Sequence, residues 1–191
     1  MNILGVVGGI GSGKSLVAQL LTQHSGAVRL DADRTGHEVL RQPAVKEAIY
    51  ARFGDSVFDP AFGLNGEINR RTLAALVFSL TEKGVDDLAF LNNLTHPRIT
   101  AEFRRTLAEL ERQKVGRIVL DAPLLFEAQW NEFTTGVIFV DAPEPVRWNR
   151  CEQRGWSRAE FLAREAAQWP AAKKREQADY ILPNAGTIAD L

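Results

Sequence analysis

The stretch "GGIGSGKS" at residues 8–15 decides the fold of this chain. It matches the pattern G-x-x-x-x-G-K-[ST], in which glycines let the backbone turn tightly and aim its N–H groups at phosphate oxygens. The apolar run "NILGVV" (residues 2–7) precedes it, and "KSLVAQLLTQH" (residues 14–24), with the apolar spacing of a helix, follows it. A strand, a glycine turn and a helix N-terminus in this order predict a loop that binds the phosphates of a nucleoside triphosphate.

The chemistry of this phosphate loop (residues 8–15) assigns a first set of roles. Lys14 is expected to reach the β- and γ-phosphates, and the Ser15 hydroxyl is expected to ligate Mg²⁺. The alternative is a flexible glycine turn that binds nothing. The loop residues that we expect to contact ATP are Gly9, Ile10, Gly11, Ser12, Gly13, Lys14 and Ser15.

Short apolar strands alternate with helical segments along the rest of the chain. Further strands are predicted at residues 26–30, 116–121, 136–142 and 178–184. This alternation predicts an α/β fold with a five-stranded parallel sheet and helices on both faces. Ligands of such sheets bind at the carboxyl ends of the strands. The candidate ligand-binding residues that follow the five strands are, in chain order, Gly8 to Ser15, Asp31 and Asp33, Asp121, Asp141, and Asn184.

The lengths between strands predict three parts of a single domain. Residues 37–110 are too long for a simple crossover, and we expect a helical acceptor-binding subdomain there, with helices broken at Pro43 and at His96-Pro97. Residues 144–175, the lid segment, form one charged helical stretch in this prediction. The core then comprises residues 1–36, 111–143 and 176–191.

The segment "LDADRTGHE" (residues 30–38) admits several functions. Asp31 and Asp33 could ligate a metal, Asp33 could be a catalytic base, or both could cap the helix that follows. Asp33 to Gly36 also reads as D-x-x-G, the switch of a GTPase. A GTPase needs N-K-x-D to read guanine, and the sequence contains no Asn-Lys pair. The GTPase interpretation is therefore disfavoured.

Asp121 closes the apolar strand "RIVLD", the position from which an aspartate holds Mg²⁺ beside a phosphate loop. The alternative is a capping or turn role.

The lid segment carries Arg147, Arg150, Arg154 and Arg158 at spacings of three or four, which predicts one shared helical face. A small-molecule kinase must exclude water and stabilise the charge on the transferred phosphoryl group, and Arg150 and Arg154 are the best candidates for this. A solvated surface, with nearby glutamates as partners, is the alternative.

Composition narrows the class of protein. The formal net charge is −1, which does not imply bulk attraction to nucleic acid or to an anionic membrane. The single cysteine, Cys151, excludes an intrachain disulfide. The first residues lack a basic leader, and glycines interrupt their apolar run, so we expect a cytoplasmic protein without a membrane anchor. The oligomeric state is not predicted.

Seven blocks of sequence together resemble dephospho-CoA kinases and span nearly the whole chain. They are "GVVGGIGSGKSLVA", "LDADRTGHEVL", "NRRTLAALVF", "LNNLTHPRI", "DAPLLFE", "RCEQRGWS" and "ADYILPNAG". The resemblance implies a P-loop NTPase fold and transfer of the γ-phosphoryl group of ATP, with Mg²⁺, to the ribose 3′-hydroxyl of 3′-dephospho-CoA. The products are CoA and ADP, and this is the last step of CoA synthesis.

The resemblance also implies site residues. Asp33 corresponds to the proposed base and Asp31 to a supporting carboxylate. The acceptor side also includes Arg70, His96 and Phe126, although His96 could instead cap a helix that starts at Pro97, and Phe126 could belong to the core. The lid arginines of the family match Arg150 and Arg154, and the adenine side of the ATP site matches Asn184 and Gly186.

Some positions depart from the family pattern. Leu16 stands where a threonine is usual, so a hydroxyl contact is lost while its backbone N–H can still bind phosphate. Asn69 replaces an aspartate, Arg147 replaces a glutamine, and relatives usually continue beyond Leu191 with a further helix. Another small-molecule kinase and a nucleotide-gated switch remain the alternative functions.

Overall fold

The structure, a computed structural model, describes residues 1–59 and 63–186. Its sheet has five strands in the order β2-β3-β1-β4-β5, and every neighbouring pair is parallel. The predicted α/β fold with a five-stranded parallel sheet is confirmed. The strands are β1 Asn2–Gly8, β2 Val28–Asp31, β3 Arg117–Asp121, β4 Gly136–Asp141 and β5 Tyr180–Pro183.

The central strand β1 anchors the core. Val6 and Val7 are fully buried, as expected for a strand covered on both faces. Val6 packs in a buried cluster with residues of α1 and of the two neighbouring strands: Val17, Ala18, Val119 and Val140. Because all five strands run in one direction, their carboxyl ends meet at a single edge, where Asp31 pairs in register with Asp121.

The helices follow the predicted pattern in most places. Helix α1 begins at Lys14, within the last two residues of the phosphate loop. Gly26, which adopts a left-handed φ of 66°, caps its C-terminal end. Helix α3 begins at Pro43, a residue suited to a first helical turn. The α-helices are α1 Lys14–Ser25, α2 Ala32–Val39, α3 Pro43–Phe53, α4 Arg70–Val77, α5 Glu82–Arg112, α6 Glu144–Glu152, α7 Arg158–Ala166 and α8 Ala171–Glu176. None of these described helices has the length and apolarity needed to cross a bilayer.

Helix α5 corrects one expectation, because it runs without a break through His96 and Pro97. Proline removes a backbone donor inside a helix, yet side chains nearby donate to the surrounding carbonyls. Arg98 Nη1 lies 2.6 Å from Leu94 O, and Thr100 Oγ1 lies 2.9 Å from His96 O. A buried stripe at spacings of four also crosses the proline: Thr95, Ile99 and Phe103. His96 is therefore a mid-helix residue, and the capping alternative is wrong.

The lid segment corrects a second expectation, because it forms three helices rather than one stretch. Helix α6 ends at Glu152, and Gly155, with φ 82°, reverses the chain before α7. Ser157 accepts from the Glu160 N–H, and the Glu160 side chain accepts from the Ser157 N–H. This capping box, readable in the sequence as S-x-x-E, starts a new helix.

The chain divides into two compact units. The first comprises Met1–Ala32 and the described residues from Thr106 onward, and the second is Asp33–Arg105. In the second unit, Arg52 on α3 pairs at 2.8 Å with the buried Asp87 on α5. Burial raises the pKa of Asp87, but hydrogen bonds and charges from Lys83 and Arg52 lower it overall. After α3 the chain forms two short 3₁₀ turns, Gly54–Val57 and Gly63–Asn65, and residues 60–62 lie outside the described part.

Candidate active site

The phosphate loop takes the conformation that its glycines permit. Gly11 and Gly13 have φ angles of 76° and 90°, in the left-handed region that favours glycine. A Cβ at Gly13 would collide with Asn184 Nδ2, and one at Gly11 would collide with the Arg147 carbonyl. Helix α1 begins at Lys14, so its first N–H groups have no partner within the helix. The loop therefore combines backbone donors with the positive end of a helix.

A pocket of about 300 Å³ opens over this loop within the first unit. Its walls combine the loop with residues from the lid segment and from the chain after β5. The lining residues are Gly11, Ser12, Gly13, Lys14, Ser15, Leu16, Arg150, Arg154, Asn184 and Gly186. Gly9 and Ile10, which we predicted as ATP contacts, do not line this pocket, and Ile10 O accepts a hydrogen bond from Arg147.

Asn184 joins the last strand to the phosphate loop. Its Nδ2 donates to Ser12 O at 2.7 Å, and its backbone N–H donates to Asp141 O at the same distance. The Arg150 guanidinium adds a third connection, from Nη1 to Ser12 O at 3.2 Å and from Nη2 to Asn184 Oδ1 at 3.4 Å. Side chains from two other parts of the chain thus hold the Ser12 carbonyl oxygen of the loop.

Asp121 lies at the carboxyl end of β3 and is only 3 % exposed. Its Oδ1 is 3.8 Å from Lys14 Nζ and has no hydrogen-bond partner among the described residues. Its Oδ2 is 2.5 Å from Nη2 of Arg29, which also lies 3.1 Å from Asp31 Oδ2. The structure therefore brings the predicted residues Lys14, Asp31 and Asp121 together. Arg29 was not identified from the sequence.

The four lid arginines do not share one helical face, which contradicts that expectation. Arg147 and Arg150 lie on α6, Arg154 follows its end, and Arg158 is the first residue of α7. Arg147 is buried and ion-paired with Glu165, and its Nε donates to Ala142 O at 3.1 Å. Only Arg150 and Arg154 line the pocket.

Comparison with known proteins identifies the family of this chain. A family model described as dephospho-CoA kinase matches residues 2–190. The chain belongs to the dephospho-CoA kinase family. This family catalyses the final step of CoA biosynthesis.

Relatives match along almost the whole chain. The dephospho-CoA kinase of Carboxydothermus hydrogenoformans is 38% identical, over 97% of this chain and 87% of that protein. The dephospho-CoA kinase of Dehalococcoides mccartyi is 34% identical, over 100% and 92%. The solved structure of TT1252 from Thermus thermophilus has a TM-score of 0.76 at 36% identity, covering 99% of this chain and 91% of that one. A shikimate kinase from Acinetobacter baumannii, 14% identical over 100% of this chain and 87% of its own, has a TM-score of 0.53 and shares the fold alone.

The residues matched to the acceptor side of the dephospho-CoA kinase family lie in both units. Asp31 ends β2 in the first unit, while Asp33 is an exposed residue in the first turn of α2 in the second. Arg70 begins α4, and its Nη1 lies 2.8 Å from His37 Nε2. His96 is half-buried on α5.

The second unit has a pocket of its own, of about 480 Å³. It is lined by Arg34, His37, Glu38, Leu40, Arg41, Glu67, Ile68 and Arg70. Nothing in the sequence singles out His37, and its contact with Arg70 is what draws attention to it. Arg34 pairs with Glu38 at 3.2 Å and Arg41 with Glu67 at 3.4 Å, so the excess positive charge of this wall lies at Arg70. An anionic ligand would be favoured there.

Two further residues of the first unit differ from a simple sequence interpretation. Phe126 is 7% exposed, and its ring stacks on Trp169 with centroids 6.1 Å apart, so it packs in the core. Cys151 is buried, and burial raises the pKa of its thiol despite the nearby Arg154 and Arg147. Neighbouring cations therefore do not make Cys151 a reactive thiolate.

Lys174 on α8 is a buried cation that sequence reasoning missed. Its Nζ contacts Glu127 Oε1 at 2.8 Å, Pro123 O at 2.6 Å and Gln168 Oε1 at 3.0 Å. Burial lowers the pKa of Lys174, and the Glu127 carboxylate offsets part of that effect. These contacts fasten the end of the lid segment to the chain that follows Asp121.

Proposed function

We propose that this chain transfers the γ-phosphoryl group of ATP to the ribose 3′-hydroxyl of 3′-dephospho-CoA, giving CoA and ADP. The observation that carries the proposal is the pocket over the phosphate loop, where Lys14, Arg150, Arg154 and Asn184 surround one cavity of the size of a triphosphate. Membership of the dephospho-CoA kinase family supports the choice of acceptor.

ATP occupies this pocket in the proposal. The backbone N–H groups from Gly11 to Leu16 and the Lys14 ammonium hold its phosphates. Asn184 and Gly186 lie beside the adenine. Leu16 contributes through its backbone, so the absence of a hydroxyl at this position weakens the contact without removing it. Gly9 and Ile10 contribute by shaping the loop.

The residues around Asp121 fit a magnesium ion. Ser15 carries an exposed hydroxyl in the first turn of α1, and Asp121 Oδ1 is a buried carboxylate oxygen without a hydrogen-bond partner among the described residues. Oxygen ligands of this kind suit Mg²⁺. Ser15 and Asp121 would hold the ion, which neutralises phosphate charge when it binds with ATP.

Asp33 is the proposed base. Its carboxylate accepts the proton of the ribose 3′-hydroxyl, the hydroxyl oxygen bonds to the γ-phosphorus, and the bond to the bridging oxygen of ADP breaks. Catalysis of this kind consists mostly of positioning and charge stabilisation. Asp31 supports the site, and the basic pocket around Arg70 and His37 binds anionic groups of the acceptor. Contacts of His96 and Phe126 with the acceptor stay predictions.

Arg150 and Arg154 stabilise the charge that develops on the transferred phosphoryl group. Replacing Arg150 by Met removes a cation from the pocket, and we expect kcat to fall about 10²-fold to 10³-fold. The matched control is Arg158→Met, because Arg158 pairs with Glu144 outside the pocket and should leave kcat within about threefold of wild type.

One assay tests the proposal against its alternatives. ADP release from ATP and Mg²⁺ is measured with 3′-dephospho-CoA, adenosine, AMP, shikimate and gluconate as separate acceptors. Stimulation by dephospho-CoA alone, with CoA as the product, is the expected result. Stimulation by another acceptor would identify a different small-molecule kinase. Slow hydrolysis that no acceptor changes would identify a nucleotide-gated switch. The reaction substrates are cytoplasmic metabolites in this proposal, and no nucleic acid takes part.

A further inference from the structure

Arg29 is a charged residue on β2, between the apolar residues Val28 and Leu30. Its guanidinium lies between two carboxylates, with Nη2 2.5 Å from Asp121 Oδ2 and 3.1 Å from Asp31 Oδ2. The other oxygen of Asp121 faces Lys14 at 3.8 Å. A cation that belongs to the protein therefore already neutralises the carboxylate proposed for Mg²⁺.

The strand register explains why these three side chains meet. Arg29 and Asp31 are two residues apart on β2 and so point to the same face of the sheet. Asp31 pairs directly with Asp121 on the neighbouring parallel strand. Arg29 Nε is buried and has no hydrogen-bond partner among the described residues, while Nη2 of the same guanidinium contacts both carboxylates.

The chemistry of this arrangement opposes a free divalent cation. The guanidinium of an arginine carries a permanent positive charge in proteins, so it cannot give up that charge to a metal. A divalent cation that approaches Asp31 and Asp121 must displace Arg29 or accept its repulsion. A cation that arrives with ATP brings phosphate oxygens as ligands and needs fewer from the protein.

We propose that Arg29 is a specificity-determining residue that prevents free divalent cations from binding at Asp31 and Asp121, so that the metal enters only as its complex with ATP. This inference rests on the proposed function, because it takes Asp121 as part of the Mg²⁺ site. It assigns Arg29 a role beyond joining β2 to β3, and that role can be separated by experiment.

Binding of Mn²⁺ in the absence of nucleotide is the test, with the free ion quantified by electron paramagnetic resonance. Arg29→Gln keeps hydrogen-bond donors and removes the charge, and we expect its affinity for Mn²⁺ to rise about tenfold or more above wild type. Arg29→Lys keeps the charge and should bind Mn²⁺ as weakly as wild type. The matched control is Arg117→Gln, because Arg117 on β3 donates to Ser25 O far along the strand from Asp121.

A second substitution locates the gained site. Asp121→Asn in the Arg29→Gln protein should abolish the gain, because it removes the carboxylate that Arg29 had neutralised. The inference is overturned if Arg29→Gln binds Mn²⁺ within about twofold of wild type. It is also overturned if Arg29→Lys gains as much as Arg29→Gln, or if the gain survives Asp121→Asn.

A measurement on the unmodified protein keeps the inference testable even if Arg29→Gln fails to fold. Millimolar Mg²⁺ alone should leave the Tm unchanged, whereas Mg²⁺ with ATP should raise it, because only a ligand that binds the folded state stabilises it. A rise in Tm with Mg²⁺ alone, beyond that given by the same concentration of NaCl, would overturn the inference.

The same preparations separate this inference from the proposed function. Formation of CoA from dephospho-CoA by the wild-type protein tests the function and does not depend on Arg29. If wild type forms CoA while Arg29→Gln shows no gain in Mn²⁺ binding, the inference fails and the function stands. If wild type forms no CoA, the proposed function fails whatever the Mn²⁺ result.

Discussion

Replacing Lys174 by Met should destabilise the protein by about 3 kcal/mol. Lys174 is only 1% exposed, and its ammonium contacts three oxygens, one of them on the Glu127 carboxylate. Removing one partner of a buried ion pair costs about 3–5 kcal/mol, because the remaining charge is left uncompensated. We take the lower end since Glu127 Oε1 keeps a hydrogen bond from the Trp169 N–H at 2.8 Å.

Urea unfolding followed by circular dichroism measures this free energy, provided that the m-value is unchanged. Lys173→Met is the matched control: Lys173 is exposed and lies over the Trp169 ring, so its loss should cost less than about 1 kcal/mol. The double variant Lys174→Met, Glu127→Leu should recover part of the loss, because it leaves no unpaired charge. A cost below about 1 kcal/mol for Lys174→Met, or no recovery in the double variant, would refute this reasoning.

Three further substitutions test other parts of the molecule. Gly13→Ala should weaken ATP binding about tenfold or more by calorimetry, because a Cβ there adds left-handed strain and collides with Asn184; an unchanged Kd would contradict this. Asp33→Asn should lower kcat far more than it changes the Kd for ATP, and near wild-type turnover would make Asp33 structural only. Asp87→Asn should remove stability that is present above the unfolded-state pKa of 3.8 and is lost as the pH falls through the lowered folded-state pKa. The gap in unfolding free energy between wild type and Asp87→Asn should therefore close in acid, and a gap that widens below pH 3.8 would refute the assignment.

The strands and the phosphate loop were predictable from local patterns in the sequence. Strands buried on both faces must be apolar runs, and a phosphate loop must contain glycines where φ is positive, so both leave a pattern in neighbouring residues. The glycine loop and Asn184, which line the pocket over the phosphate loop, were predictable for the same reason, since they follow the ends of β1 and β5. Arg150 and Arg154 line the same pocket from α6 and its end. Gly9 and Ile10 were predicted as ATP contacts because the motif spans them. In the structure Ile10 O accepts a hydrogen bond from Arg147, a residue far along the chain.

The errors have different physical causes. Pro97 predicts a helix break from its own chemistry, but burial of the α5 stripe and side-chain donors around the proline outweigh the lost hydrogen bond. The break at Gly155 interrupts the lid segment, and the capping signal at Ser157 was present in the sequence. Non-local pairing left no comparable signal. For Arg29, the only indication was a cation in an apolar strand two residues before Asp31.

The burial of Cys151 makes the chain a convenient subject for thiol chemistry. It is the only cysteine in the sequence, and a methyl group added at Gly11 would lie 3.0 Å from its sulfur. Because Cys151 is buried, a thiol reagent can reach it only when the packing around it opens. The rate of alkylation of Cys151 then reports how often that packing opens. ATP bound at the phosphate loop should lower this rate. A cysteine placed at an exposed position would instead accept a single label while Cys151 stays silent.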